Sequence, residues 1–207
     1  MFRHLFWDLG GTLVDTYPQL DAALADVVRR HGHQIELLDV ARLTRRSTGE
    51  AIRALCERFT IPAAEFEGAN AELKALWKRE PAPPMPGARE LLRDVSAAGG
   101  LNLVVTHRER GSAMGLLDGL GLTVDDLVST ADGHPRKPDP TMHLVLLERH
   151  QLDPAECLAV GDRPIDATAA HAAGITAAIL ESPEAPVDDD AEHSVAHLDE
   201  LRPLLGL

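Results

Sequence analysis

The stretch Phe6-Trp7-Asp8-Leu9-Gly10-Gly11-Thr12-Leu13-Val14-Asp15 joins an apolar run to a glycine-rich turn. An aspartate, Asp8, stands where the apolar run ends, and two glycines follow it closely. Open α/β sheets bind their ligands at the carboxyl ends of the strands, and glycine lets a backbone come close to a ligand. The stretch therefore predicts a strand that carries Asp8 to a ligand site.

Further strand-like runs follow along the chain, and segments with helical periodicity separate them. The predicted strands are residues 3–8, 101–106, a weaker run near 127–128, 157–160 and about 175–180. Between them apolar residues recur at helical spacing: Ala88, Leu91, Leu92 and Val95, then Ala113, Leu116, Leu117 and Leu120. Asp139 is expected to cap a further helix, with Pro140 at its first position. The alternation predicts a parallel α/β sheet.

The segment from about 17 to 80 differs, because it contains no convincing strand. It reads as successive helices, and the pattern Ser47-x-x-Glu50 is typical of a helix start. Pro18 marks the boundary of this block on one side, and the proline-rich stretch 81–87 bounds it on the other as a stiff linker. We therefore expect a helical insertion between the first two strands.

Composition limits the classes of partner. The 207 residues carry a net charge of -13, which argues against a nucleic-acid surface. No apolar run approaches the roughly 18 residues that cross a bilayer, so no membrane partner is expected. The first residues do not resemble a secretion signal, and Cys56 and Cys157 read as reduced thiols. These features predict a cytoplasmic protein.

Charge is distributed unevenly along the chain. Basic residues concentrate in or beside the predicted strand ends: Arg108, Arg110, Arg136, Lys137 and Arg163. An acidic run, Asp188-Asp189-Asp190, is expected to be a solvated loop. An anionic ligand would therefore be attracted by local rather than overall charge.

Four short patterns occur in order at the predicted strand ends. They are Asp8 to Asp15, then Thr106, then Arg136-Lys137-Pro138-Asp139-Pro140, and finally Gly161-Asp162-Arg163-Pro164-Ile165-Asp166 with Ala170 and Ala173-Gly174 downstream. The set resembles the motifs of the haloacid dehalogenase-like (HAD) superfamily, subfamily I, over essentially the whole chain. The resemblance implies a Rossmann-like three-layer core, residues 1–16 and 81–207, with an all-helical C1-type cap at 17–80.

The resemblance also implies roles for individual residues. Asp8 would be the nucleophile that forms an aspartyl-phosphate, while Lys137 and Thr106 would contact the transferred group. The cofactor would be Mg²⁺, which prefers one or two carboxylates with waters and a phosphate oxygen. Its expected ligands are Asp8, Asp162, Asp166 and the carbonyl of Gly10. The expected substrate contacts are Gly10, Gly11, Thr12, Arg108 and Arg163.

Gly10 departs from the family pattern, which carries a second aspartate two residues after the nucleophile. In the resembling phosphatases that aspartate is the general acid/base, a function worth about 10²–10⁴ in rate. Three routes keep the protein an enzyme without it. The substrate has a good leaving group, His107 substitutes as acid/base, or the chemistry is different.

Other reactions and a non-enzymatic role remain alternatives. Phosphonoacetaldehyde hydrolases lack the second aspartate but need a cap lysine, and no matching motif surrounds Lys74 or Lys78. Haloacid dehalogenases need no metal, so the pair Asp162 and Asp166 argues against them. A scaffold that binds a phosphorylated metabolite without turnover is the third alternative. The sequence favours Mg²⁺-dependent hydrolysis of a small phosphate monoester, with a small phosphorylated metabolite as partner.

Overall fold

The computed structural model describes residues 1–182 and 190–207, so Asp188 and Asp189 of the acidic run lie outside the described residues. The described chain divides into two compact units. One, called the core unit here, comprises residues 1–14, 83–182 and 190–207, and the other, the helical unit, comprises residues 15–82. The divisions fall at 14/15 and 82/83, where the sequence predicted 16/17 and 80/81.

The core unit is built on a six-stranded sheet in which all neighbours are parallel. Its strands are β1 (His4–Trp7), β2 (Asn102–Thr106), β3 (Asp126–Ser129), β4 (Cys157–Gly161), β5 (Thr176–Leu180) and β6 (His193–Val195). The spatial order is β3-β2-β1-β4-β5-β6. This arrangement confirms the predicted parallel α/β fold and adds β6, which was not predicted from the sequence.

Strand β1 lies in the middle of the sheet and is buried along its whole length. Trp7 pairs with Val104 of β2 on one side and with Val160 of β4 on the other. Its indole N–H donates to the side chain of Asn102 over 3.0 Å. Because parallel strands end at the same edge, the residues that follow β1, β2 and β4 come together.

The helical unit contains four helices: α1 (Tyr17–Arg30), α2 (Leu37–Thr44), α3 (Thr48–Phe59) and α4 (Ala63–Leu76). Pro18 lies in the first turn of α1, where a missing N–H costs nothing. The predicted start of α3 is confirmed, since the Ser47 hydroxyl accepts the Glu50 backbone N–H over 3.0 Å. The short helix α2 was not predicted.

The helices of the core unit are α5 (Ala88–Ala97), α6 (Arg110–Leu120), α7 (Thr141–His150), α8 (Pro164–Ala172) and α9 (Arg202–Leu205). Helix α7 begins one residue later than expected, and Pro140 rather than Asp139 precedes it. Asp139 still stabilises this start, because its carboxylate accepts the Thr141 backbone N–H over 2.9 Å. Within the described residues, no helix is long and apolar enough to span a membrane.

One face of the sheet packs against α7 and α8. Phe6, Val105 and Ala159 of the three central strands share this buried layer with Met142 of α7 and Ala170 of α8. Burial of such side chains is the main favourable term in folding. The layer holds the carboxyl ends of β1, β2 and β4 on a rigid support.

Candidate active site

Three polar side chains meet at the carboxyl edge of the sheet. Asp8 directly follows β1, Thr106 ends β2, and Asp162 directly follows β4. The Asp8 N–H extends the pairing of the two strands by donating to the carbonyl of Val160 over 2.9 Å. All three side chains are buried. The predicted grouping of the first, second and fourth motifs is therefore present in the fold.

The turn after Asp8 is closed by its own backbone. The N–H of Val14 donates to the Leu9 carbonyl over 2.9 Å, and the N–H of Gly11 donates to the Val14 carbonyl over 2.8 Å. Gly11 has φ 95°, a conformation that favours glycine. The sequence predicted that Gly11 contacts the substrate. In the structure its N–H is used inside the turn, so Gly11 shapes the loop and does not offer that N–H to an anion.

Thr12 also differs from its expected role as a substrate contact. Its side chain is fully buried, and its hydroxyl donates to Asp162 Oδ1 over 3.2 Å. The structure thus uses Thr12 to orient the Asp162 carboxylate. The contact ties the first motif to the fourth.

Lys137 is the centre of the charge arrangement. Its Nζ lies 2.5 Å from Asp8 Oδ1 and 2.5 Å from Asp166 Oδ1, and it donates to the Val105 carbonyl over 3.2 Å. The side chain is only 1% exposed. A single buried ammonium therefore bridges two buried carboxylates from different motifs.

Burial and this bridge set the pKa values of the three groups. Burial raises the pKa of Asp8 above its ordinary value, although Lys137 opposes that effect. The pKa of Asp166 is lowered, because Lys137 and Arg163 outweigh the effect of burial. Burial acts to lower the pKa of Lys137, but Asp166 and Asp8 together raise it. Lys137 therefore stays charged.

Asp166 fits beside β4 only because a glycine ends that strand. A Cβ placed on Gly161 would lie 2.3 Å from the Cβ of Asp166. The other carboxylate oxygen of Asp166 accepts the Arg163 backbone N–H over 3.1 Å, at the start of α8. Its Oδ1 lies at ion-pair distance from Lys137, so Asp166 contacts both Lys137 and the start of α8 in this structure, and its role as a Mg²⁺ ligand stays a prediction.

The segment after β2 places a second cation at the edge. The Arg108 N–H donates to the Thr106 hydroxyl oxygen over 3.1 Å, which leaves the hydroxyl proton able to donate elsewhere. The Arg108 guanidinium donates to the Ser112 hydroxyl over 3.2 Å. Burial lowers the pKa of Arg108, while the nearby Asp8 charge opposes this shift. Arg108 therefore lies close enough to Asp8 for their charges to interact, and its contact with an anion, like that of Thr106, stays a prediction.

His107 is engaged differently from the expected acid/base role. Its Nε2 accepts the Lys137 backbone N–H over 2.8 Å, and its backbone carbonyl accepts the Thr130 hydroxyl over 3.1 Å. Burial, followed by the charges of Lys137, Arg136 and Arg163, lowers the pKa of His107 to about 3. The ring is neutral at neutral pH and its lone pair is occupied. This geometry gives no support to His107 as a general acid/base.

A second histidine, His143 on α7, was not among the residues singled out from the sequence. It is buried and stacks on Phe6 with ring centroids 5.8 Å apart. Burial lowers its pKa to about 3; the Lys137 charge adds to this and Asp166 opposes it. No periodicity distinguishes this histidine from its neighbours on α7, so the sequence carried no signal for it.

Two of the predicted basic residues are held elsewhere. Arg110 forms a salt bridge with Asp132 at 2.8 Å, and Arg136 is exposed with its guanidinium 3.0 Å from His107 Nδ1. Arg163, in contrast, is largely buried beside Asp166, with 4.0 Å between the nearest charged atoms. Of the predicted basic cluster, Lys137, Arg108 and Arg163 therefore lie at the strand edge.

The donor set at this edge suits a hard divalent cation. Asp8 and Asp162 supply carboxylate oxygens from adjacent strand ends, and Thr12 fixes the orientation of the second one. In residues 1–182 and 190–207, no group of three or more His, Cys, Asp or Glu side chains could hold a metal ion. Mg²⁺ does not need such a group, because it keeps waters and takes substrate oxygens. The residues present therefore fit Mg²⁺.

Comparison with known proteins finds similar chains. The model of the haloacid dehalogenase-like hydrolase family matches residues 2–174. A phosphoglycolate phosphatase from Rhodospirillum rubrum is 30% identical over 195 residues, which cover 87% of this chain and 80% of the relative. Hexitol phosphatase A from Escherichia coli is 28% identical over 194 residues, covering 87% and 84%.

A solved structure supports the fold. It is a HAD family hydrolase from Deinococcus radiodurans with bound phosphate and sodium, and it matches with a TM-score of 0.83. The match covers 99% of this chain and 95% of that one, at 23% identity. At this identity the likeness establishes the architecture.

Proposed function

The chain belongs to the haloacid dehalogenase-like hydrolase family, and we propose that it hydrolyses a small phosphate monoester through an aspartyl-phosphate on Asp8. The observation that carries the proposal is the buried contact of 2.5 Å between Asp8 and Lys137 at the carboxyl edge of the sheet. This contact holds a carboxylate where ligands bind and supplies a fixed positive charge beside it.

Two named relatives support a phosphoryl substrate. The protein from Rhodospirillum rubrum is a phosphoglycolate phosphatase, and the one from Escherichia coli is a hexitol phosphatase. Both names describe enzymes that act on small phosphorylated molecules. We extend the class of substrate to this chain, and not the carbon skeleton of either substrate.

The side chains at the edge divide the proposed reaction among them. Asp8 attacks phosphorus, which replaces one difficult displacement by two easier ones. Lys137 offsets the charge of Asp8, and Asp166 holds Lys137 in place. The Thr106 hydroxyl donates to one phosphoryl oxygen, and the guanidinium of Arg108 or Arg163 offsets the remaining charge.

Asp8, Asp162 and the Gly10 carbonyl are the proposed ligands of Mg²⁺. When bound, the ion would offset the repulsion between the Asp8 carboxylate and an anionic substrate. Asp166 joins this site by orienting the start of α8, next to Asp162. In this proposal, residues from the separate motifs form one site for the phosphoryl group.

The helical unit is the proposed cap. It is inserted directly after the turn that carries Gly10, which is where the family places a C1 cap. Lids of this kind exclude water and select substrates. The identity of the substrate is therefore expected to depend on residues of α1 to α4.

Phosphate release from a panel of small phosphate monoesters, with and without Mg²⁺, tests this function. We expect Mg²⁺-dependent release that Asp8→Asn abolishes, because the amide cannot attack phosphorus. Asn keeps the size of Asp, so a folded and inactive variant isolates the chemistry. Equal release by the wild type and Asp8→Asn would contradict the proposal, and binding without any release would favour a non-catalytic role.

A further inference from the structure

We propose, building on the function above, that the substrates are phosphoryl compounds whose leaving group departs as a stable anion, and that the aspartyl-phosphate accumulates during turnover. Acyl phosphates, aryl phosphates and enol phosphates form this class. Their leaving oxygens need no proton at the moment of bond cleavage. Alkyl phosphates do need one, and they are therefore expected to react slowly.

The first observation is the side chain absent from the turn after the nucleophile. Gly10 lies two residues beyond Asp8 and cannot carry a proton to or from a reacting oxygen. Its backbone is not in the left-handed region, unlike that of Gly11 at φ 95°. The backbone conformation at position 10 therefore does not require glycine. The departure from the family pattern, which carries an aspartate here, thus changes the chemistry of the site and not its backbone geometry.

The second observation is that His107 cannot replace the missing group in this geometry. Its Nε2 lone pair accepts the Lys137 backbone N–H over 2.8 Å. Turning the ring toward a substrate would break this bond and leave the N–H of Lys137 without its acceptor. The hydroxyl of Thr106, the neighbouring residue, is a poor proton source because its pKa lies far above neutrality.

The third observation concerns the ammonium and carboxylates at the edge. Lys137 Nζ has three protons, and it has three oxygen neighbours: Asp8, Asp166 and the Val105 carbonyl. Asp166 in turn uses its second oxygen for the Arg163 N–H. Asp162 accepts the Thr12 hydroxyl. In the described part of the core unit, Lys137 and Asp166 are thus engaged with each other and with the backbone, while Asp8 and Asp162 are the proposed nucleophile and Mg²⁺ ligand, so we assign none of the four as a proton donor to the leaving oxygen.

The first chemical step can proceed without a general acid only with certain leaving groups. A carboxylate oxygen of Asp8 attacks phosphorus, and the bond from phosphorus to the leaving oxygen breaks. The electron pair leaves with that oxygen as a carboxylate, aryloxide or enolate. An alkyl phosphate would have to release its alkoxide without a proton. It would therefore lack the general acid assistance that is worth about 10²–10⁴ in rate.

The second step, hydrolysis of the aspartyl-phosphate, also proceeds without an acid/base group at position 10. Water attacks phosphorus, the bond to Asp8 breaks, and Asp8 returns as a carboxylate. The water oxygen enters the phosphate, and the proton lost by the water passes to solvent, since position 10 offers no base. With a good leaving group the first step stays fast while the second is slow. The aspartyl-phosphate therefore accumulates.

The test compares kcat/KM for acetyl phosphate, p-nitrophenyl phosphate, phenyl phosphate and glycerol phosphate, with Mg²⁺ and with Asp8→Asn as background. We expect a steep fall along this series, which runs from the best to the poorest leaving group. With acetyl phosphate we also expect a burst of product and a phosphorylated protein after acid quench. The same kcat for the two best substrates would follow from a shared slow second step.

Gly10→Asp and the matched Gly10→Asn make the result specific. The aspartate is expected to raise glycerol phosphate turnover by about 10²-fold or more and to abolish the burst. The asparagine has the same size without the acid/base group, so the difference between the two variants measures the acid/base function apart from any effect of a side chain on the Gly10 carbonyl. Equal glycerol phosphate turnover by the two variants would contradict the inference.

The outcomes separate this inference from the function on which it rests. One outcome is phosphate release that depends on Asp8, is equally fast for glycerol phosphate and phenyl phosphate, and shows no burst. It would overturn the leaving-group inference and leave the proposed phosphatase function standing. No release and no phosphorylated protein above Asp8→Asn with any substrate would overturn both.

Discussion

At the scale of single residues, His107 shows how one side chain connects two motifs. Its ring accepts the backbone N–H of Lys137, while the side chain of Lys137 contacts Asp8. The imidazole therefore determines where the lysine backbone lies. A shift of about 1 Å in such a group can lower a rate by about 10².

His107→Ala should lower kcat by about 10-fold or more with a smaller effect on KM, because the Lys137 N–H loses its acceptor, at a cost of about 1–3 kcal/mol. His107→Gln carries an amide oxygen that can accept the same N–H, and it should recover part of the loss. Steady-state kinetics over a range of pH measure both variants. If glutamine were as poor as alanine and a limb of the pH profile disappeared, His107 would be an acid/base after all.

Gly161 is a second residue with a steric role. A Cβ at this position would lie 2.3 Å from the Cβ of Asp166, so Gly161→Ala should destabilise the fold by about 1–3 kcal/mol and lower activity. Gly115 on α6 has no atom within 4 Å of such a Cβ. Gly115→Ala is the matched control and should be neutral or slightly stabilising. Equal effects of the two changes in urea unfolding would contradict this account.

At the scale of elements, the packing of α7 on β1 buries an imidazole. His143 has a pKa of about 3 in the fold, below its ordinary value of 6.5. The unfolded chain takes up a proton as pH falls through about 6.5, whereas the folded chain does not. The contribution of His143 to stability is therefore complete at neutral pH and declines as the pH falls.

His143→Phe should flatten this pH dependence, because phenylalanine keeps an aromatic ring against Phe6 and takes up no proton. Between about pH 7.5 and 5.5 the wild type should lose about 1.4 kcal/mol more than the variant. Urea unfolding at the two pH values gives the difference. Identical losses in the two proteins would show that His143 is protonated in the folded state.

A buried ion pair stabilises the helical unit between α1 and α2. Arg45 lies 3.3 Å from Asp21, and its guanidinium stacks 3.6 Å from the centre of the Tyr17 ring. Arg45→Met should cost up to about 3–5 kcal/mol, since it removes the charge that offsets the buried Asp21 carboxylate, which keeps the Thr44 hydroxyl as a donor.

The neighbouring Arg46 provides the control for this pair. Its side chain is 67% exposed and pairs with Glu50 on the surface. Arg46→Met should change stability by no more than about 0.5 kcal/mol. Similar losses for the two arginine variants in urea unfolding would argue against a stabilising role of the buried pair.

The elements also show what the sequence could and could not predict. Strands β1, β2 and β4 are mostly apolar runs of four or five residues, and a polar residue ends or follows each, so their positions and the edge they share were predictable. Strand β6 has three residues and α2 has eight, which is too short for a clear periodic pattern. The roles of Thr12 and Asp166 were not predictable, because they depend on contacts between distant segments.

At the scale of the whole molecule, a net charge of -13 accompanies a site for an anion. The overall charge repels anions, so Lys137, Arg108 and Arg163 must supply the attraction locally. Salt screens the long-range repulsion more strongly than the short contacts in a buried site. We expect KM for a phosphorylated substrate to fall as ionic strength rises to about 0.15 M, which initial rates at fixed pH would measure. A steady rise of KM with salt would indicate that long-range attraction dominates.

The proposed function depends on transfer of the phosphoryl group to Asp8. Acid quench of the protein during turnover of acetyl phosphate, followed by peptide mass spectrometry, tests it most directly. We expect one phosphoryl group on the peptide that contains Asp8, and none in Asp8→Asn. A phosphoryl group on another residue, or turnover by Asp8→Asn at the wild-type rate, would contradict it.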